Sequence, residues 1–420
     1  MPGGFVCFIA PPAEQISVLA AILLGTLAGI LLGAVSGLVP GIHVNTMAGI
    51  LLAAQGILLG VLGPEAMGAA LFAALITHTF LDIIPSTFLG IPDADTALSV
   101  LPAHALCLEG RGEEAVRLSA LGSAFSVVVA LPLVLVFFLL LPSIQPLIDW
   151  GIGIILIAVA GLLIVYSDSP AWSLGIFLVS GLLGLFVFHY PYLFWNTLGS
   201  SSVLMPLLAG LFGIAVLLAS SRGEMPEQRF SGFSLQGGVL ARQSVIGACA
   251  GAIVGWLPGL SNATANAVLS LGMRHEDHAR EYIVATSAAN TANAFLGLAA
   301  LYALSRTRNG VMAALAVQEL PPVQYLLLAG LVAAAVVYAL TVYLARYARI
   351  ISGISIRPLS AAVIGLVTVL SCVLCGPFGL VILALATAVG VVPGIVNVRR
   401  VACMGAIMLP VILMSFDVPV

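Results

Sequence analysis

Apolar stretches of membrane-spanning length alternate with short polar stretches along almost the whole chain. A helix that crosses a bilayer needs about 20 consecutive apolar residues. We identify fourteen apolar segments, several of them short or interrupted, and the longest polar stretch, residues 221–236, separates the first seven from the last seven. The predicted segments are 16–36, 42–62, 66–90, 115–141, 146–166, 170–190, 200–220, 237–256, 259–273, 280–304, 322–345, 358–375, 376–394 and 399–418.

Composition narrows the class of protein. Hydrophobic residues make up 61% of the 420 positions and charged residues only 7%, whereas an average soluble domain carries about 25% charged residues. So few charges cannot cover a surface that faces water, and hydrocarbon must surround most of the exterior. The sequence therefore predicts an all-α, multi-pass bundle of about 10–14 segments in the cytoplasmic membrane. No basic region precedes the first apolar run, so we expect no cleaved signal peptide.

Charge and motifs argue against several function classes. The net charge of −3 comes without a basic cluster, which argues against binding of nucleic acid. No Walker motif, catalytic triad or zinc-ligand spacing appears, so we expect neither an enzyme nor an ATP-driven pump, and no metal site. The six cysteines are scattered and predict no disulfide framework.

A ladder of glycines at every fourth position, ending in Pro-Gly, occurs once in each half of the chain. A shift of 218 residues brings residues 29–46 onto 247–264, with glycine, proline and threonine positions in register. A second shared stretch, Phe88-Leu89-Gly90, matches Phe295-Leu296-Gly297 at a shift of 207. Repetition of this kind predicts two copies of one structural unit.

The two copies are predicted to be inverted in the membrane. Each half has an odd number of segments, so the second half must enter from the opposite face. With the N-terminus outside, twelve of the fourteen arginines fall on the cytoplasmic side and only Arg306 and Arg308 outside, as the positive-inside rule requires. The predicted organisation is an N-terminal repeat at 1–220, a polar linker at 221–236 and an inverted C-terminal repeat at 237–420.

The two Pro-Gly pairs predict broken or re-entrant helices. Proline interrupts a helix and glycine accepts unusual backbone angles, and a helix that restarts there exposes N–H groups that attract carboxylate or phosphate. A proline kink with ordinary N-caps is the alternative interpretation. The substrate-binding residues predicted at the two breaks are Pro40, Gly41, His43, Asn45, Thr46, Pro258, Gly259, Ser261, Asn262, Thr264 and Asn266.

Polar residues also interrupt the third and tenth apolar segments. His78 and Asp82 are four residues apart and share one helix face. An acid within a membrane helix is a functional hypothesis by default, so Asp82 with His78 is a candidate site for a coupling Na⁺ or H⁺. An interhelical hydrogen bond is the alternative. In the tenth segment, Asn290 and Asn293 are further candidate substrate-binding residues.

The sequence resembles the TctA family, the large membrane subunit of tripartite tricarboxylate transporters. The resemblance rests on both Pro-Gly motifs and on residues 88–123, FLGIPDADTALSVLPAHALCLEGRGEEAVRLSALGS. The chain is most similar to the shorter, archaeal-type members. The resemblance implies cation-coupled uptake of carboxylates, with a small membrane subunit and an extracytoplasmic solute-binding protein as partners.

These features predict a secondary transporter for organic carboxylates such as di- or tricarboxylates. The substrate is expected between the halves, near the Pro-Gly breaks, with access alternating as one half rocks against the other. A translocase for a polyprenyl-phosphate carrier lipid is the alternative, because a phosphate head group suits the same helix N-termini. A membrane-embedded enzyme is the weakest candidate, since no hydrolase spacing is present.

Overall fold

The protein is built from helices and turns, and no strand occurs among the residues that the structure describes. This confirms the predicted all-α class. The computed structural model describes residues 12–38, 55–90, 100–167, 169–195, 204–219, 225–256, 262, 265–266, 268–269, 278–307, 309–317, 320–351, 355–398 and 400–418.

Most helices coincide with predicted apolar segments, but Val100–Leu108 and Gly310–Val317 lie outside them. Most of the predicted segments 42–62 and 259–273 lies outside the described residues. Those of the first half are α1 (Pro12–Leu38), α2 (Gln55–Leu81), α3 (Ile83–Leu89), α4 (Val100–Leu108), α5 (Gly112–Val165), α6 (Pro170–His189), α7 (Leu204–Leu208), a π-helix (Ala209–Ile214) and α8 (Ala215–Ala219). Those of the second half are α9 (Gly237–Trp256), α10 (Ala279–Leu304), α11 (Gly310–Val317), α12 (Val323–Ala345), α13 (Ile356–Ile395) and α14 (Gly405–Ser415), with short 3₁₀ turns at Pro191–Leu193, Arg346–Ile351 and Arg400–Met404.

Within the described residues, eight helices are long and apolar enough to cross a membrane, and three shorter apolar helices accompany them. Two of the eight, Gly63–Leu89 and Ala279–Leu304, are 94% buried inside the protein, whereas the other six are only 33–44% buried. The chain is therefore a multi-pass integral membrane protein, with α2 and α10 at its centre and the remaining helices facing lipid.

One pair of predicted segments is a single helix in the structure, whereas a second pair is separated by a kink. Residues 115–141 and 146–166 belong to the one helix α5, which contains Pro132, Pro142 and Pro146. Each proline removes one backbone hydrogen bond but leaves the helix continuous. Residues 358–375 and 376–394 lie together in α13, but non-helical angles at Gly376 (φ 73°), just before a proline, divide it into two helices at the predicted boundary.

Both glycine ladders bring two helices into backbone contact in the same register. At every rung except the last of each ladder, a Cβ atom in place of the glycine hydrogen would collide with a carbonyl oxygen of the facing helix. Small residues allow this close approach, which supplies packing energy in lipid. The facing pairs are Gly29–Ala70 and Gly33–Ala74 between α1 and α2, and Gly247–Ala285 and Gly251–Ala289 between α9 and α10.

These contacts align α2 with α10 at a shift of 215 residues, as from Ala70 to Ala285. The prediction that Phe88-Leu89-Gly90 corresponds to Phe295-Leu296-Gly297, at a shift of 207, is therefore wrong by about two helical turns. Short apolar motifs recur by chance, whereas backbone contact fixes equivalent positions. The last rungs have the same register, with Gly37 against His78 and Leu81, and Gly255 against Asn293 and Leu296.

In each half, a further helix packs against the central helix of the other half. Gly122 of α5 lies against the backbone of Val284 on α10, and Gly330 of α12 lies against the ring of Phe72 on α2. The two central helices meet directly where Phe72 and Phe295 pack edge to face, with ring centroids 5.4 Å apart. The two sequence halves are thus interlocked rather than placed side by side.

A buried carboxylate joins both halves and the linker at one end of the bundle. Glu114, only 1% exposed, begins α5 and lies 2.7 Å from Arg111. The Arg280 Nε atom, at the start of α10, and the Ser234 backbone N–H both donate to one Glu114 oxygen, at 3.0 and 2.9 Å. Arginines that the positive-inside rule assigned to one side therefore lie at the same end of the molecule.

The described part of the linker packs against the turn between α4 and α5. The Gln228 side chain accepts a hydrogen bond from Gly112 N–H at 2.9 Å and donates to the Cys107 carbonyl at 2.9 Å. The Arg229 N–H donates to the Gly110 carbonyl at 2.9 Å. Gly110 has φ 78°, a conformation that favours glycine. The linker therefore packs as part of the fold.

Candidate functional site

The buried acid Asp82 lies where α2 gives way to α3. Pro85 has no N–H to donate to the carbonyl four residues earlier, so the helical hydrogen bonding is interrupted here. Asp82 is 4% exposed, and its Oδ2 accepts a hydrogen bond of 3.0 Å from the Asn290 amide of α10. The structure thus unites two predicted site residues that are 208 positions apart.

Hydroxyl groups extend this contact along the same interface. The Thr291 hydroxyl donates to the Thr79 hydroxyl at 3.1 Å, again joining α10 to α2. The Ser287 hydroxyl donates to the Ser119 hydroxyl of α5 at 2.8 Å, and Ser123 donates to the Ser287 carbonyl at 3.2 Å. A continuous buried polar belt therefore lies between the central helices of the two halves.

His78 lies beside this belt but faces α1. Its Nδ1 is 3.2 Å from the Ser36 hydroxyl, and both side chains are buried. Ser36 also donates to the carbonyl of Gly33, a rung of the first glycine ladder. The imidazole is thereby held against α1 one turn before Asp82, whose carboxylate contacts α10.

The second predicted break contributes two asparagines to the described residues. Asn262 and Asn266 are both fully buried, and the Asn266 carbonyl accepts a 2.8 Å hydrogen bond from the hydroxyl of Tyr282 on α10. Tyr282 precedes Asn290 by eight residues, about 12 Å along the helix axis. The asparagines near the second Pro-Gly pair therefore lie at a different level along α10 from the Asp82–Asn290 hydrogen bond and do not contact it directly.

The remaining predicted site residues divide into two groups. Asn293 is half-buried and lies against Gly255 on α9, with its Oδ1 3.1 Å from the position that a Cβ at Gly255 would take. It therefore contacts its own ladder helix. Nine predicted substrate-binding positions lie outside the described residues: Pro40, Gly41, His43, Asn45, Thr46, Pro258, Gly259, Ser261 and Thr264.

Sequence reasoning missed the contribution of α5. Ser119 and Ser123 are one turn apart, and Gly122 between them meets the α10 backbone. This small-x₃-small spacing is a known signal for close helix packing, and it was visible in the sequence. A second missed contact is the 2.7 Å hydrogen bond from the Trp256 indole, at the end of α9, to the buried Gln145 of α5.

A buried histidine is hydrogen-bonded to the backbone near the end of α3. His104 on α4 is 6% exposed, and its Nδ1 lies 2.9 Å from the Thr87 carbonyl. Burial lowers the pKa of His104, because the charged imidazolium loses its water. The ring is therefore neutral at physiological pH, and its Nδ1–H donates to the carbonyl.

The polar belt has the chemistry of an ion or substrate pathway. It offers one carboxylate, an amide and several hydroxyls within an apolar bundle, where polar groups concentrate only for function or for helix association. No cluster of three or more His, Cys, Asp or Glu side chains suited to a metal occurs in the part of the chain that the structure describes.

The sequence matches the tripartite tricarboxylate transporter TctA family over residues 23–405. An uncharacterized protein of Methanocaldococcus jannaschii is 30% identical over 285 residues, which cover 66% of this chain and 68% of that protein. This archaeal relative is consistent with the archaeal-type resemblance. No solved structure matches the chain. Because the family match extends over nearly the whole sequence, the resemblance is confirmed, and the protein belongs to the TctA family of tripartite tricarboxylate transporters.

Proposed function

We propose that the protein is a secondary active permease that moves organic carboxylate anions, such as di- or tricarboxylates, across the cytoplasmic membrane. Family membership supports the transporter class. The observation that carries the proposal is the contact of the two central helices through the Asp82–Asn290 hydrogen bond, buried inside an apolar bundle. Such polar groups within a membrane protein typically mark a pathway for substrate or ions.

The anion is held by neutral donors in this proposal. Helices predicted to restart after Pro40-Gly41 and Pro258-Gly259 would present N–H groups, and Asn262 and Asn266 would add amides close to the second Pro-Gly pair. Neutral donors orient a carboxylate without a fixed positive charge that would hold it too tightly for release.

Asp82 supplies the coupling in the same proposal, with His78 one helical turn away. A Na⁺ or H⁺ at the carboxylate would neutralise a buried charge, which stabilises the loaded carrier in a low-dielectric interior. The Asn290 amide holds one carboxylate oxygen at 3.0 Å and thereby orients the group.

Partner subunits follow from the family rather than from a contact in the structure. The tripartite organisation named for the family supports a small membrane subunit and an extracytoplasmic solute-binding protein as partners. The polyprenyl-phosphate alternative receives no support from the family match.

The proposal is tested by uptake into proteoliposomes of labelled succinate, malate and citrate, driven by a Na⁺ or a proton gradient. Asn262→Asp is compared with Asn262→Ala at matched amounts of folded protein. A new carboxylate about 4 Å from the anion costs about 4 kcal/mol at a surface-like dielectric, roughly a thousandfold in affinity. Loss of one amide costs about 1 kcal/mol.

Two outcomes would contradict the proposal. Equal uptake by the Asp and Ala variants would place the anion away from the second break. Translocation of a fluorescent polyprenyl phosphate, with no uptake of any carboxylate, would favour the lipid as substrate instead.

A further inference from the structure

The contacts between helices divide the molecule in a way that does not follow its two sequence halves. One set of helices surrounds α2 and α10 and comprises α1 to α4, residues 112–141 of α5, and α9 to α12. We call this set the inner body. A second set comprises residues 153–165 of α5, α6, residues 204–219, α13 and residues 400–415. We call this set the outer body, and each body contains helices from both halves.

Directional contacts hold the halves together within the inner body. Three of them reach α10 of the second half from α2 or α5 of the first half: Asn290 to Asp82, Thr291 to Thr79 and Ser287 to Ser119. At the end of the bundle, the buried Glu114 of α5 pairs with Arg280 of α10 at 3.0 Å. Separation of these helices would leave buried polar groups without their partners.

Backbone contacts hold the halves together within the outer body. At four glycines, a Cβ would collide with or crowd the backbone of a helix from the opposite half, so these helices have no room to shift apart without losing close packing. The facing pairs are Gly184–Ala406 and Gly405–Phe177 between α6 and the C-terminal helix, and Gly210–Leu383 and Gly390–Leu211 between the π-helix and α13.

The boundary between the two bodies is built differently. Leu89 of α3 packs on a cluster that contains Leu217 and Leu383 of the outer body. Tyr282, Ala285 and Ala289 of α10 belong to one hydrophobic cluster with outer-body side chains, and Ala265 and Leu269 belong to the same cluster. Apolar side-chain contacts lack direction and permit helices to slide, as in shear motions.

Helix α5 runs through both bodies, and prolines weaken its helical hydrogen bonding between them. Pro142 and Pro146 lie in the stretch that joins its two parts, and neither can donate a helical hydrogen bond. Gln145, between them, accepts the Trp256 indole hydrogen bond beside the second break. The pivot therefore lies next to the position where the anion is proposed to bind.

We propose that the transporter alternates access by moving the inner body against the outer body about residues 142–147, and not by rocking one sequence half against the other. This inference rests on the proposed transport function. Asn262 and Asn266, close in sequence to Ala265 of the boundary cluster, would then gain and lose access to each side of the membrane.

Spin labels at three lipid-exposed positions distinguish the two motions. Leu31 and Leu182 are both in the first half but in different bodies, whereas Leu31 and Ile253 are in different halves but both in the inner body. Their exposure of 70%, 62% and 53% keeps the labels clear of packing. Distances are measured in a cysteine-free background, in liposomes, with and without Na⁺ and a mixture of succinate, malate and citrate.

We expect the Leu31–Leu182 distance to change with the added anions and the Leu31–Ile253 distance to stay constant. Rocking halves would give the reverse pattern, and that result would overturn the inference. A constant Leu31–Leu182 distance in protein that takes up carboxylate would overturn it as well. Failure of all three anions to enter proteoliposomes would instead overturn the proposed function, and the inference with it.

A disulfide offers an independent readout. Gly68→Cys with Leu326→Cys joins α2 to α12 inside the inner body and outside the polar belt, at a site where a Cβ at Gly68 would lie 3.2 Å from the Leu326 side chain, and we expect the uptake of this variant to be the same before and after oxidation. Leu89→Cys with Leu217→Cys joins the two bodies, and oxidation is expected to reduce uptake at least tenfold, with recovery on reduction. Inhibition by the first disulfide and not by the second would contradict the proposal.

Discussion

Helices α2 and α10 occupy equivalent places in the two halves, yet their polar residues differ. Both pack on a glycine ladder in one register, and both are 94% buried. At the shift of 215 residues, Asp82 corresponds to Gly297 and Asn290 corresponds to Leu75. The backbone framework is therefore duplicated, whereas the carboxylate and the amide that holds it occur once each, on opposite helices.

This difference separates what a repeat preserves from what it varies. Helix packing demands small residues at fixed spacing in both copies, because any side chain there would meet the neighbouring backbone. A coupling ion needs only one carboxylate, and a second buried one nearby would add repulsion. A symmetric scaffold that carries an asymmetric site is the expected result.

The largest effect is expected from Asp82→Asn, which removes the carboxylate that has no counterpart in α10. Loss of a unit charge about 4 Å from the coupling cation weakens its binding by about 4 kcal/mol, roughly a thousandfold. The measurement is the Na⁺ concentration or pH that gives half-maximal uptake.

Gly297→Ala is the matched control on α10. The nearest atom to the new Cβ is the Gly255 carbonyl oxygen at 4.0 Å, so coupling and stability should be unchanged. An Asp82→Asn protein with the same cation dependence as this control would remove Asp82 from the coupling site.

The next largest effect is expected from substitutions in the two glycine ladders on which α2 and α10 pack. Gly29→Ala and Gly247→Ala each place a methyl group against a carbonyl of the facing helix, and each should lower the free energy of unfolding by about 3 kcal/mol, as overpacking does. Gly161→Ala, which meets no atom within 4 Å, is the control and should not destabilise. Tolerance of alanine at one ladder but not at the other would refute their equivalence.

A smaller effect is expected from Asn290→Leu, which gives α10 the residue that α2 has at position 75. The Asp82 carboxylate loses an amide donor, and a hydrogen bond to a charged group contributes about 2 kcal/mol. Chemical unfolding in detergent measures the loss. Asn293→Leu removes an amide from the same helix away from Asp82 and should cost less; equal losses would show that the Asp82 contact is not what matters.

The smallest effect belongs to the neutral pair Thr79 and Thr291. Interhelical hydrogen bonds of this kind contribute about 0.6 kcal/mol in membrane proteins. A double-mutant cycle with Thr79→Val and Thr291→Val should give a coupling energy of that size. A coupling energy larger than that of the Asp82–Asn290 pair would contradict the expectation that a hydrogen bond to a charged group is the stronger one.

Much of the fold could be predicted because lipid imposes simple rules on sequence. A run such as 280–304 has the length and composition of a spanning helix, and α10 occupies it almost residue for residue. The boundary inside α5 could not be predicted, because proline both ends helices and bends them. The outcome at Pro142 depends on whether neighbouring helices support a continuous helix.

The sequence predicts which polar residues belong to the candidate site, but not which of them contact one another. Asp82, His78 and Asn290 were recognisable because polar residues in apolar helices are costly. That Asn290 faces Asp82, while Asn293 faces Gly255, depends on the rotation of α10 between two neighbours. Because each residue of a helix is rotated by 100° from the one before it, asparagines three positions apart point in different directions and contact different neighbouring helices.

The sequence by itself determined the membrane class, the two glycine ladders and the family, because hydropathy, spacing and motif are local properties of the chain. Only the tertiary structure decided the register of α2 on α10, the interlocking of the halves and the partner of each buried polar group. These depend on which backbones approach most closely across 200 or more residues, as between Asp82 and Asn290. The physical reason is that a helix fixes its own faces, whereas its neighbours determine what each face meets.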